Sequence, residues 1–352
     1  MISQKLKAMT PYAGDHEEMA IYLNANESFV PVDLGVKAVM MEKAAEVPLN
    51  RYPDPYATEL CQGFAQYYQV PIEWVTAGNG SDEIISLLIS CLLDKGSKVM
   101  TFAMDFSMYG FYSYLGECQQ IVMEKDLELQ VNVSDVIAKA QQEKVDMIIF
   151  SNPCNPTSMG MSRGDVIQMI EQSGALVVVD EAYMEFYDQS VLDLVGKYPN
   201  LIVLKTCSKA FAMAALRLGF AVAGPSLTTL LRTGKSPYNV NAVSQAMGSV
   251  IFEYPELLAS AIGEIKASKR MLYHGLCHLA QGYGEVIKVF PSDTNFVFLL
   301  VKDGDKICQG LKAQGILVRQ FGHYLRITAG TLFENDSVLS ALKDILAGDE
   351  MP

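Results

Sequence analysis

Positive charge is scarce in this chain of 352 residues. Its 27 lysines and arginines stand against 40 aspartates and glutamates, a formal net charge of −13. No basic patch stands out to meet a phosphate backbone, which argues against nucleic-acid partners. An acidic surface also gives no long-range help to an anionic substrate. Any phosphate or carboxylate must be captured by local arginines and helix termini. Cysteine pattern is lacking too. Seven residues, an odd number, lie far apart with no C-x-x-C, which argues for reduced thiols and against a disulfide frame or a zinc site. Histidine occurs four times. Only His274-x-x-x-His278 has metal-like spacing, and it has no third ligand, so no metal is expected. No apolar run approaches the roughly 18 residues of a membrane helix. The N-terminal MISQKLKAMTPY lacks the apolar core of a signal peptide, so the expected compartment is the cytoplasm. Internal repeats, low-complexity tracts and long Gly/Ser linkers are missing as well.

What is present is core-forming material. Half the residues are hydrophobic, and the length suggests about two domains. Apolar runs at 98–104, 147–151, 176–180, 201–204 and 220–223 read as strands. They alternate with helical patterns at 82–93, 108–115, 134–142 and 163–172. Strands apolar throughout belong to a sheet covered on both faces. The expected class is therefore α/β, with a mostly parallel, doubly wound sheet. The connection from Leu204 to Phe220 is too short for a full crossover helix, so one strand there is expected to run antiparallel. A long helical region follows, to about Leu279, with a break near Tyr254–Pro255. Strands at 286–290, 295–301 and 324–328, with helices at 305–314 and 335–346, suggest a smaller α+β domain. The division expected is residues 46–274 for the large domain, and 1–45 with 275–352 for the small one.

In such sheets ligands gather outside the carboxyl ends of the strands. Asn155 in SNPCNPTS, Asp180 and Tyr183 in LVVVDEAY, and Lys209 in LIVLKTCSK all fall there. Singly each has a plainer reading, as a turn residue, a helix cap or a surface lysine. Together they are the set that pyridoxal 5′-phosphate requires. Lys209 supplies the imine-forming amine, and Thr206, Ser208 and Arg217 hold the phosphate. Asp180 pairs with the protonated ring nitrogen, and Tyr183 and Asn155 reach the phenolic oxygen. AGNGSDE, residues 77–83, joins a short strand to a helix start. There the N–H groups of Ser81 and Asp82 form an anion site, or the residues simply cap the helix. Phe106 is a ring-stacking residue or a core aromatic. Arg326, in a strand pattern, can pair with a carboxylate in bidentate fashion or lie on the surface, and Arg319 is a similar case.

Seven boxes occur in the order shown by one family: LNANES, LNRYPDPY, AGNGSDE, SNPCNPTS, VVDEAYMEF, CSKAFAMAALRLGF and GILVRQF…LRITAGT. Over nearly its whole length the chain resembles the fold-type I pyridoxal phosphate aminotransferases of the aspartate aminotransferase superfamily. The NANE, RYPDP and LRITAGT boxes resemble the histidinol-phosphate branch. The resemblance implies that Lys209 is the Schiff-base lysine, Asp180 the pyridinium partner, and Tyr183 and Asn155 the phenolic-oxygen ligands. It implies a phosphate cup of Ser208, Arg217 and the backbone at Ser81 and Asp82, with Phe106 against the ring and Arg326 on the α-carboxylate. Tyr52 matches a tyrosine that reaches the phosphate of a neighbouring subunit, which implies a homodimer with shared sites. Tyr12 and Arg319 match positions that bind a distal substrate phosphate. Two departures stand out: the usual Asn-Asn-Pro-Thr-Gly box reads Cys154-Asn155-Pro156-Thr157-Ser158, and acidic residues follow Tyr12.

The activity this implies is amino-group transfer between L-histidinol phosphate and 2-oxoglutarate, with small amino acids and 2-oxo acids as partners. The alternatives are an aminotransferase for aromatic or other amino acids, and a lyase of the threonine-phosphate decarboxylase kind. A non-enzymatic regulator that binds the same cofactor would need an appended DNA-binding region, for which the chain has no room.

Overall fold

A computed structural model describes residues 5–8, 11 and 18–347. The chain enters through β1 (Ile21–Tyr22), α1 (Leu34–Ala45) and α2 (Thr58–Tyr68). The central sheet then takes β2 (Val75–Asn79), β3 (Lys98–Phe102), β4 (Gln119–Met123), β5 (Met147–Ser151), β6 (Leu176–Asp180), β7 (Leu201–Thr206) and β8 (Leu218–Ala223). Their spatial order is β2-β8-β7-β6-β5-β3-β4. All pairings are parallel except those of β8 with β7 and β2. The short connection after Leu204 indeed brings the chain back antiparallel.

Helices α3 (Ser81–Leu92), α4 (Met108–Leu115), α5 (Val133–Glu143), α6 (Arg163–Gln172), α7 (Pro225–Gly234) and α8 (Ala242–Ile251) accompany this sheet. Both its faces are covered, which explains the uninterrupted apolar runs. Val177, Val179, Leu201 and Val203 enter one core, while Val178, Ile202 and Leu204 enter the other. β4 is an edge strand whose residues are exposed or half-buried. It reads QQIVM rather than as a solid apolar run, so apolar content alone passes over it.

α9 (Pro255–Gly282) leads to β9 (Val286–Val289), β10 (Phe296–Val301), α10 (Gly304–Ala313), β11 (Ile316–Leu317), β12 (Arg319–Phe321), β13 (Tyr324–Thr328) and α11 (Leu332–Ala347). β12-β13-β10-β9 form a small antiparallel sheet, and β1 pairs in parallel with β11. On β10, Val297, Leu299 and Val301 enter the second core with α10 and α11 residues, while Phe298 on the opposite face packs with Leu129. α9 is continuous through the expected boundary at 274/275. Its Leu258 and Ile265 belong to the large core, and Leu272, Leu276 and Leu279 to the small one. α1 packs on α8, and its Val36 and Met40 join the large core, although residues 1–45 were expected with the small domain.

Candidate active site

Each expected floor residue stands where a strand ends or just beyond. Asp180 closes β6 and is 3% exposed. Its Oδ1 accepts from the Ala182 N–H at 3.1 Å and its Oδ2 from the Tyr109 hydroxyl at 2.9 Å. Burial raises its pKa to about 7, although Tyr109 and the Ala182 N–H pull the other way. Asp180 enters none of the ion pairs among the described residues. A buried carboxyl group without a cation fits a protonated ring nitrogen, which brings the missing charge.

Lys209 lies three residues past β7. Its side chain keeps a partial opening to solvent, yet the surrounding protein and the nearby charges of Arg326 and Arg217 bring its pKa down to about 8. Burial is the largest cause. Its Nζ donates to the Ala25 carbonyl at 2.8 Å.

The anion cradle assembles beside them. Arg217 reaches Ser208 Oγ through Nη1 at 3.4 Å and Asp82 Oδ2 through Nη2 at 3.3 Å. Ser81 and Asp82 open α3, where first-turn N–H groups have no acceptor within the helix. Two glycines make the close approach possible. A Cβ on Gly80, whose φ is +81°, would lie 2.6 Å from Arg217 Nη2, and one on Gly219 would lie 2.4 Å from the Ser81 nitrogen. Thr206 sits beneath. Its hydroxyl is 3.0 Å from Ser208 Oγ, 3.2 Å from the Leu218 carbonyl and accepts from the Ser208 N–H. These donors fit a phosphate, and together with Asp180 and Lys209 they fit the cofactor expected from the sequence.

Asn155 Oδ1 accepts from Arg326 Nη1, and its own N–H donates to Ser151 Oγ at 3.1 Å. Tyr183 is buried, which pushes its phenol up to about 12 and keeps it protonated. Phe106 is half-buried, with an edge contact to Tyr109 at 5.5 Å. Arg326 is 7% exposed and lies against the rings of Phe296 and Phe321, at 5.4 and 5.7 Å. Arg319 stands directly opposite it in the β12–β13 register, and so on the same face. Tyr52 is 82% exposed and stacks on Tyr238 at 4.5 Å. Tyr12 lies outside the described residues. His274 and His278 are both exposed on α9, and no group of metal-ligating side chains occurs among the described residues.

Three groups escaped the sequence reading. Tyr109, one helical turn after Phe106, holds Asp180. Asp105 accepts from both the hydroxyl and the N–H of Ser151, and so braces the loop that carries Asn155. Asn26 donates to Tyr183. Only the spacing from Phe106 to Tyr109 offered a signal in advance.

The half-buried lysine, its anion cradle and the uncompensated aspartate define a pyridoxal phosphate enzyme of fold type I. The chain belongs to the class I and II aminotransferases, whose family model matches residues 19–342. It is 36% identical over 351 residues to a histidinol-phosphate aminotransferase of Clostridium kluyveri, covering 98% of this chain and 99% of that protein. A histidinol-phosphate aminotransferase of Clostridium novyi is 36% identical over 348 residues, covering 97% and 96%. In fold the chain is similar to the histidinol-phosphate aminotransferase of Sinorhizobium meliloti solved in complex with pyridoxal-5′-phosphate. The TM-score is 0.88 at 19% identity, with 99% of this chain and 98% of that one covered.

Proposed function

We propose that this enzyme moves an amino group between L-histidinol phosphate and 2-oxoglutarate. The paired arginines of β12 and β13 carry the reading. Like charges directly opposite on one sheet face destabilise it unless an anion lies between them. Arg319 and Arg326 together suit a phosphate, or the carboxylates of glutamate and 2-oxoglutarate, better than an uncharged side chain. The full-length relatives with histidinol phosphate in their names support the same substrate.

When bound, pyridoxal phosphate supplies an aldehyde for the amine and a heterocycle that draws electrons from the substrate α-carbon. The chain's own residues set the conditions. Lys209, with a pKa near 8, keeps an appreciable neutral fraction at neutral pH and can act as a nucleophile. As a free amine, its Nζ would be the base that takes a proton from the substrate α-carbon and holds it for return. Asp180 holds the ring-nitrogen proton in place. Tyr183 and Asn155 would hold the phenolic oxygen, and Phe106 would hold the ring. Ser81, Asp82, Ser208 and Arg217 fix the phosphate, with Thr206 bracing Ser208. Arg326 orients the carboxylate or phosphate of the substrate. Arg319 extends that anion site.

Tyr52 on the surface suits delivery to a second subunit's phosphate. Exposed Leu34, Leu49 and Tyr56 give the apolar area for a homodimer. A cytoplasmic location goes with this reading.

The test is a panel of half-reactions with histidinol phosphate, glutamate, phenylalanine and threonine phosphate. Histidinol phosphate and glutamate should bleach the cofactor's visible band without release of carbon dioxide. A response to phenylalanine with none to histidinol phosphate would move the assignment to an aromatic substrate. Carbon dioxide release from threonine phosphate would make the enzyme a lyase.

A further inference from the structure

Residues 24–26 lie across the site as a strap. The Asn24 carbonyl accepts from Arg326 Nη2, the Ala25 carbonyl accepts from Lys209 Nζ at 2.8 Å, and Asn26 Nδ2 donates to the Tyr183 hydroxyl at 2.8 Å. Asn26 is 1% exposed and holds a left-handed φ of +54°, which asparagine tolerates better than most residues. Its remaining polar groups tie the strap to the small lobe. The backbone N–H donates to Thr328 Oγ1 at 3.1 Å, and the carbonyl accepts from Asn295 Nδ2 at 3.1 Å.

The orientation of the Asn26 amide follows from Thr328. Thr328 is 3% exposed; its Oγ1 already accepts the Asn26 N–H, and its own buried proton needs an acceptor. Asn26 Oδ1 at 3.1 Å is that acceptor. The amide nitrogen is therefore turned to Tyr183, whose oxygen has to accept. A phenol that accepts on one side still has one proton to give. Among the described residues that proton meets no protein acceptor, while burial keeps the phenol from ionising.

We propose that Asn26 is a positioning residue that turns the Tyr183 proton toward the phenolic oxygen of the bound cofactor. The inference rests on the assignment of Tyr183 to that oxygen. A donor there would draw off negative charge and weaken the oxygen's hold on the proton shared with the Lys209 nitrogen joined to the cofactor. Loss of the directed donor therefore raises the pH at which the cofactor's visible band titrates. Asn26→Asp tests this sharply. Aspartate also tolerates the left-handed backbone and can still accept from Thr328, but it presents an acceptor to Tyr183, whose proton then turns away from the cofactor.

The experiment is a spectrophotometric pH titration of the holoenzyme for the wild type, Asn26→Asp, Tyr183→Phe and the double variant. Each single change should raise the midpoint by about one pH unit, a tenfold change in the proton equilibrium. The double variant should move little beyond Tyr183→Phe alone. An equal shift by Asn26→Asp with and without the Tyr183 hydroxyl would show its charge acting alone and overturn the proposal. Asn26→Gly, which carries no charge and suits the same backbone, should give a smaller upward shift. An unmoved midpoint in that variant would overturn it as well. A wild-type enzyme that shows no visible cofactor band after loading would instead defeat the cofactor assignment itself.

Discussion

Lys205 and Lys209 are four residues apart, the first buried and the second half-buried, and their acidities move in opposite directions. Burial pulls Lys205 down, but Glu185 and Glu181, at 2.9 and 3.0 Å, outweigh it and leave its pKa raised. Lys209 pairs with no carboxylate among the described residues, so burial and the charges of Arg326 and Arg217 prevail, and its pKa falls to about 8. One lysine is held permanently charged, while the other is held ready to lose its proton. Depth alone therefore says nothing about chemistry; the neighbouring charges decide.

The largest expected effect separates the two lysines by activity. Lys209→Ala should lower kcat by at least about 10⁴-fold and abolish the cofactor's imine absorption. Stopped-flow half-reactions would show it, and retained turnover would remove Lys209 from the chemistry. Lys205→Ala should leave that absorption in place and show its damage in stability. It strands Glu181 and Glu185, which are 0% and 7% exposed, without a cation. Breaking a buried pair in this way costs about 3–5 kcal/mol. A urea titration that found less than about 1 kcal/mol of loss would mean that the glutamates take up protons and tolerate the change.

The floor of the site was legible in the sequence because it is local. Asp180 and Lys209 each follow an apolar run, and strand ends in an α/β sheet converge. Arg326 was legible for the same reason, as one polar residue between Leu325 and Ile327. What stayed hidden depends on contacts across long stretches of chain. Tyr109 reaches Asp180 across 71 positions and Asn26 reaches Tyr183 across 157. The Phe106–Tyr109 spacing and the LNANES box mark the two residues, but nothing local gives either contact. The Lys205 cluster was hidden differently, since a lysine in the run LIVLKT looks like a strand terminus until the two glutamates appear beneath it. Of the two early helices that the reading passed over, α1 has weak amphipathic contrast, whereas α2 buries Leu60, Cys61, Phe64 and Ala65 on one face. α1 carries only Val36 and Met40 as buried residues.

Asp180 extends the same contrast to an acid. Its carboxyl pKa in the folded protein is about 7, above the ordinary 3.8, because burial disfavours the charge. A group whose folded pKa is raised adds stability that is fully present below its unfolded pKa. That stability is lost as pH rises through the folded value. In cofactor-free protein the loss should run from about pH 4 to pH 7 and reach at most about 4 kcal/mol, at about 1.4 kcal/mol per pH unit. Denaturant midpoints at pH 5 and pH 8 would measure most of it. Asp180→Asn should flatten the dependence, and with cofactor bound the wild type should flatten too, since a ring cation then stabilises the charged carboxylate. A slope that survived Asp180→Asn would place its source in another group.

Arg319 gives the smallest effect and the finest distinction, because it tests two like charges where the lysines tested unlike ones. Arg326 is buried between two phenyl rings and tied to Asn155 and Asn24, so its position is set before substrate arrives. Arg319 is half-buried on the adjacent strand, nearer to solvent screening. Hydrogen bonds to charged groups contribute about 1.5–3 kcal/mol, and partial exposure puts this one at the low end. Arg319→Ala should therefore raise KM for histidinol phosphate about tenfold and change KM for phosphate-free histidinol much less. Removing one of two facing cations also relieves repulsion, so the variant should be no less stable than the wild type. Equal KM changes for both substrates would take Arg319 off the phosphate and leave Arg326 as the sole anion ligand.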